Sequence, residues 1–154
     1  MTILALDLSL LNTGVAVFND AGECIHLESI DTKRDETYPL KLKHIEKVFK
    51  ALKKNYSISV VVVEESFTKF NKSTQAIYRV RAIAELTFYK LNFICYHSTS
   101  IRKELLGHGN AKKDEVQNFL KEKFPKIIFK DFDQSDAFAV GLCYLKRREK
   151  ADGS

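Results

Sequence analysis

The 154-residue chain has no apolar run longer than four residues; Val60 to Val63 is one of them. That excludes a membrane-spanning helix, which needs about 20 consecutive apolar residues. Cysteine is scarce: Cys24, Cys95 and Cys143 are odd in number, far apart and set among apolar neighbours. No disulfide framework and no thiolate metal site is expected from them, and they read as reduced core residues of a cytoplasmic protein. No basic segment precedes the first apolar stretch, and Asp7 interrupts that stretch early, so no secretory leader is expected. Internal repeats, low-complexity tracts and linkers are also lacking. One domain over 1–150 follows, with 151–154 as a frayed tail.

Bases are missing from the first 32 residues, where Asp7, Asp20, Glu23, Glu28 and Asp31 stand without a Lys or Arg. Beyond them bases recur in every predicted helix, and the net charge is +5. A short acidic knot, Asp131, Asp133 and Asp136, interrupts the basic stretch. A basic shell with acids set apart from it suits a protein that draws a polyanion toward clustered carboxylates and metal ions. Arginine is the scarcer base, six against nineteen lysines. Lysine contacts phosphates as a point charge and lacks the planar fork suited to guanine, so weak sequence preference is expected.

The hydrophobic pattern begins with a buried strand over Thr2 to Leu8. A turn at Asn12-Thr13-Gly14 leads to a strand over Val15 to Phe18. A hairpin signal at 19–22 leads to a third strand, Cys24 to Ile30. From Thr37 to Lys54 the period becomes helical, with Leu40, His44, Val48 and Leu52 in the apolar stripe. Ser57 to Val63 reads as a buried parallel strand, and 71–90 as a helix with Val80, Ala84 and Leu86 inside. Phe93 to Tyr96 is the fifth strand. Ser98 or Thr99 caps a short helix ending near Leu106. Two more helices cover 112–123 and 133–150. A meander followed by two strand-and-helix crossovers makes a mixed five-stranded α/β sheet with helices on both faces, the ribonuclease H-like arrangement.

Carboxylates stand at the ends of these elements. Asp7 closes an apolar strand, where a charge is costly unless a cation compensates it; the alternative is a cap on the following turn. Glu64 and Glu65 end the Val60–Val63 strand, and only one of them can face Asp7, because adjacent strand residues point to opposite sides. Periodicity does not choose between them. Asp133 and Asp136 share one face of the last helix, although Asp133 could equally be its N-cap. Together these acids could hold two divalent ions, Mg²⁺ or Mn²⁺, for phosphodiester hydrolysis.

Several stretches taken in order resemble RuvC-type Holliday junction resolvases, in a phage-type branch. They are Leu4-Ala5-Leu6-Asp7 with Thr13-Gly14, Val63-Glu64-Glu65-Ser66-Phe67, Gly107-His108-Gly109-Asn110-Ala111-Lys112-Lys113, and Asp133-Gln134-Ser135-Asp136-Ala137-Phe138-Ala139. The resemblance runs from Thr2 to about Tyr144. It departs at Leu8-Ser9, where the family has Pro-Gly. It selects Glu64 over Glu65 and implies Asp7, Glu64, Asp133 and Asp136 as catalytic, metal-holding acids. Lys113 and Arg102 would lie near the scissile phosphate, and Phe67 would stack on unpaired bases at the crossover. Lys72, Arg79, Arg81 and Lys112 are expected to contact DNA phosphates. Lys113 could also simply solvate its helix, and Phe67 could be core. His108 receives no role.

The resemblance implies a cytoplasmic homodimer, in the host cytoplasm if phage-encoded, cutting four-way branched DNA. The apolar, small-residue face of the 71–90 helix is the candidate interface. The same acids would serve a fork, flap or hybrid nuclease, and a non-catalytic junction-binding module is the other alternative. Asp7-x-Ser9 with Thr13-Gly14 also resembles the phosphate loop of an actin-like ATPase. That fold needs two lobes and at least twice this length, so no nucleotide cofactor is expected.

Overall fold

The computed structural model describes residues 1–65 and 71–153; Phe67 therefore lies outside the described residues. The described elements are β1 (Thr2–Asp7), β2 (Asn12–Phe18), β3 (Cys24–Asp31), α1 (Tyr38–Asn55), β4 (Ile58–Glu65), α2 (Lys72–Thr87), β5 (Asn92–His97), α3 (Ser98–Leu106), α4 (Lys113–Lys123) and α5 (Phe132–Asp152). Their sheet order is β3-β2-β1-β4-β5. β1 to β3 form the antiparallel meander, and β4 and β5 add in parallel, as the pattern predicts.

Apolar residues fill both faces of the central strands, and strict alternation sorts them. Ile3, Ala5, Ala16, Phe18, Val60 and Val62 pack with α5 residues such as Ala137, Phe138 and Val140. Leu4, Leu6, Val15, Val17, Val61 and Val63 pack with Ile45 and Phe49 of α1 and Val80 and Ala84 of α2. This two-sided burial is why the strands read as continuous apolar runs. The same parity extends to the strand ends. Asp7 follows Ala5, Glu64 follows Val62, and Asn12 and Gly14 precede Ala16, so all four lie on the α5 face. Glu65 lies on the other.

α5 is the buried hub of that face. Phe138 meets the rings of Phe18, Phe124 and Phe129 at centroid distances of 5.1, 5.0 and 5.3 Å. Such pairs each add about 0.5–1.5 kcal/mol beyond area burial. Gly141 lets the helix axis approach the sheet, since a Cβ there would lie 2.2 Å from Phe18 Cε2.

The structure corrects several local expectations. Asn12-Thr13-Gly14 is strand rather than turn, because β2 must extend to pair Gly14 with Asp7 and Asn12 with Asp31. Leu86 is 73% and Leu40 51% exposed. Leu86 sits about 200° around the helix from Ala84, and Leu40 about 140° from Ile45, so each points away from its buried stripe. Ser98 belongs to the first turn of α3, whose cap position is His97. The cap of α5 is Asp131, whose Oδ1 accepts from Gln134 N at 2.8 Å. α5 also continues through Ala151 and Asp152, two of the four residues expected to fray.

Candidate active site

The α5 face gathers acids from three elements. Asp7 ends β1, Glu64 lies near the end of β4, and Asp133 and Asp136 occupy the start of α5. Part of Asp7 still reaches solvent, yet enclosure by protein is the main reason its carboxyl lies well above the usual range. Repulsion from Glu64, Asp136 and Asp133 pushes it further up, and Lys113 offsets only part of this. Glu64 is raised to about 7, first by burial and then by Asp136, against the pull of Lys113 and Arg102. Asp136 is raised too, chiefly by burial, although Lys113 draws it down. Mutual repulsion of this kind places the acids in one electrostatic cluster.

Lys113, the first residue of α4, supplies the cluster's cation. Its Nζ lies 3.2 Å from Asp136 Oδ2. Burial alone would lower the ammonium's pKa, but the pull of Asp136, Asp7 and Asp133 outweighs it and the value rises. Arg102, on α3, lines a small recess with Glu64 and Asp136. Glu65 is on the opposite face, 4.0 Å from Arg81. The structure thus separates the two glutamates that periodicity left undecided.

The alternative roles for the acids are filled by other residues. The turn after β1 is closed by Thr13, whose Oγ1 donates to Ser9 O at 2.5 Å and accepts from Ser9 N at 3.2 Å. Asp131, not Asp133, caps α5. Asp133 instead accepts from Asn12 Nδ2 at 2.6 Å. Asp131 Oδ2 accepts from Asn12 Nδ2 at 3.2 Å and from Ser29 Oγ at 2.6 Å. Burial would raise Asp131, but these bonds hold it below the usual carboxylate range. Gln117 of α4 donates to Asp131 O at 3.4 Å and to Ser135 Oγ at 3.3 Å. Asn12, Ser29 and Gln117 were not legible as site neighbours from sequence. Asp131 belongs to the acidic knot of the sequence and also stands at cap spacing from Gln134.

Among the described residues, no group of three or more His, Cys, Asp or Glu is arranged to hold a metal ion as it stands. Asp136 is turned to Lys113 and Asp133 to Asn12. The chemistry of the donor set nevertheless fits a hard cation. Buried carboxylates that raise one another's pKa are relieved by positive charge, and oxygen donors match Mg²⁺ or Mn²⁺ better than soft metals.

The other predicted contacts are more dispersed. Lys72, Arg79 and Arg81 lie on α2, which packs on the sheet face opposite α5. Lys72 is exposed. Arg79 stacks over Tyr38 of α1, 4.7 Å from the ring centroid. Arg81 is turned to protein partners, its Nε 2.9 Å from Glu85 and a terminal nitrogen 3.2 Å from Cys95 Sγ. Lys112 is exposed at the start of α4, where its backbone N–H donates to Glu115 Oε2 at 2.7 Å. His108 is exposed in the preceding loop.

Comparison with known proteins agrees with this geometry. The sequence profile of the crossover junction endodeoxyribonuclease RuvC family matches residues 3–144. The crossover junction endodeoxyribonuclease RuvC of Ehrlichia canis (strain Jake) is 31% identical over 150 residues, covering 94% of this chain and 96% of that one. The protein of the same name from Gluconobacter oxydans (strain 621H) is 30% identical over 137 residues, 86% of this chain and 82% of its own. Among solved structures, Thermus thermophilus RuvC in complex with a Holliday junction substrate superposes with a TM-score of 0.85 at 18% identity, covering 98% of this chain and 96% of that one. This chain belongs to the RuvC family of crossover junction endodeoxyribonucleases.

Proposed function

We propose that this chain is a metal-dependent endodeoxyribonuclease that resolves four-way DNA junctions by paired, symmetric phosphodiester nicks. The observation that carries the reading is the convergence of Asp7, Glu64, Asp133 and Asp136 from three elements beside Lys113. Asp7, Glu64, Asp133 and Asp136 would hold two divalent ions, Mg²⁺ or Mn²⁺. Bound there, such ions would make a water easier to deprotonate for attack on phosphorus and would supply charge that stabilises the leaving oxygen.

The chain's own residues do the rest. Lys113 keeps 58% of its side chain exposed. It balances Asp136 in the resting protein and faces the scissile phosphate when substrate arrives. Arg102 flanks the same recess and steadies a phosphate beside Glu64. Lys72, Arg79 and Lys112 contact phosphates of the arms, positioning DNA without reading sequence. Arg81, engaged by Glu65, Glu85 and Cys95, contributes more to local charge than to direct contact. Phe67, three residues after Glu64, stacks on unpaired bases at the crossover.

A four-way junction has two-fold symmetry, and one chain carries one acid cluster, so symmetric nicking calls for a C₂ homodimer. The small apolar residues of α2, Val80 and Ala84, are used in the core. Its outer face instead offers Tyr78 and Leu86, 60% and 73% exposed, and we place the interface there. Among the described residues no helix is long and apolar enough to cross a membrane. We place the enzyme with its DNA substrate in the cytoplasm.

The test offers four-way, Y-shaped, linear duplex and RNA/DNA hybrid substrates with Mg²⁺, Mn²⁺ or EDTA. The expected result is symmetric nicking confined to four-way junctions and absent in EDTA. Equal cutting of forks and flaps would recast the protein as a general branch nuclease.

A further inference from the structure

We infer that Asn12 is a positioning residue for Asp133, holding one carboxylate oxygen and so fixing the side chain beside the acid cluster. The inference rests on the nuclease reading above. Asn12 is the first residue of β2, fixed opposite Asp31 by strand pairing and placed on the α5 face by parity. Its Nδ2 stands 2.6 Å from Asp133 Oδ2 and 3.2 Å from Asp131 Oδ2. Only the NH₂ end of an amide can face two carboxylates, because its two hydrogens supply one donor to each.

The geometry separates this bond from ordinary helix capping. Asp131 completes the cap through Oδ1 and Gln134 N, and Ser29 secures its other oxygen at 2.6 Å. Neither bond constrains Asp133. An unrestrained carboxylate in the first turn of a helix, beside Asp131 and facing Asp7 and Asp136, is driven outward by like charge. The Asn12 bond opposes that displacement and ties the α5 acids to the strand adjoining the one that carries Asp7. Loss of comparable outer contacts to metal-holding groups typically costs 10–100-fold in metal affinity or activity.

The experiment compares wild type with Asn12→Leu, Asn12→Gln and Ser29→Ala. It measures kcat and KM on a four-way junction, Mn²⁺ binding by calorimetry without DNA, and Tm. Asn12→Leu should lower kcat about tenfold or more and weaken Mn²⁺ binding about tenfold, with KM within twofold and Tm within a few degrees. Asn12→Gln, which keeps the amide, should recover part of both losses. Ser29→Ala, which loosens only Asp131, should leave kcat within twofold. Unchanged kcat and Mn²⁺ binding in Asn12→Leu would overturn the inference. So would a joint fall of kcat, KM performance and Tm without recovery by Gln, since that describes a structural residue. If wild type fails to cut, the nuclease reading fails first, and the Mn²⁺ comparison still decides the role of Asn12.

Discussion

A Cβ added to Gly14 would stand 1.9 Å from the carbonyl oxygen of Asp133 and 3.2 Å from the Cβ of Ala137. β2 and the first turn of α5 are therefore in backbone contact directly across from Asp7, which pairs with Gly14. The glycine is required by close approach, since positive φ occurs only at Gly22 and Gly107 among the described residues. Gly14→Ala should cost about 3 kcal/mol, the upper range for overpacking, and should lower cleavage further by moving Asp133 and Asp136. Denaturant titration beside a cleavage assay checks both effects. A loss under 1 kcal/mol would mean the helix start is free to shift.

Lys113 and Asp136 form the second defining pair of the site. Lys113→Met should reduce cleavage about 100-fold, the scale for losing a charged group at a reacting phosphate. The same change should tighten Mn²⁺ binding several-fold, because the ammonium no longer competes for Asp136. Calorimetry and single-turnover kinetics measure the two directions independently. Weaker Mn²⁺ binding would show that Lys113 organises the acids rather than balancing them.

The acid cluster also sets a pH dependence in the metal-free protein. Glu64 in the folded state takes up its proton at about 7, against 4.5 for the ordinary group. Between those values the folded chain binds more protons than the unfolded one, so stability falls as pH rises. The protonated form's advantage is complete below about pH 4.5 and lost as pH passes 7. The shift corresponds to roughly 3 kcal/mol. Calorimetric Tm in EDTA should fall more steeply from pH 5 to 7 for wild type than for Glu64→Gln. Adding Mn²⁺ should reduce the difference. Equal slopes would place Glu64 outside the cluster.

Strand parity explains how much of this was readable in the sequence. The element order and the mixed sheet follow from local apolar runs, and Asp7 and the Glu64-Glu65 pair stand out because two of those runs end in them. The choice of Glu64 over Glu65 needed either a family resemblance or the packed sheet. Val60 to Val63 is apolar on both faces and gives no preferred side. Asp131 meets Asn12 and Ser29 from more than a hundred residues away, through pairing of β2 with β3 and docking of α5. No local pattern encodes that meeting. The misread turn at 12–14 has the same origin, since Asn, Thr and Gly favour turns until strand pairing and helix contact override them.

Tyr78 and Leu86 on α2 test the oligomer. Leu86→Glu should convert a dimer into a monomer by sedimentation velocity at micromolar concentration. It should also replace paired nicks by single ones while leaving Tm nearly unchanged, because the side chain is 73% exposed. A wild-type monomer under the same conditions would remove the two-centre explanation of symmetric cutting.

If Asp7 belongs to a cutting centre, and not merely to a DNA-binding surface, its loss separates cleavage from binding. Asp7→Asn removes one charge from a cluster of mutually repelling carboxylates while preserving shape. Cleavage and binding of one four-way junction by this variant is the most direct measurement. Under the nuclease reading cleavage should fall at least about 1,000-fold, the scale of losing an essential catalytic group, with junction affinity equal to or tighter than wild type. Cleavage retained within tenfold, or cleavage and binding lost together, would contradict it.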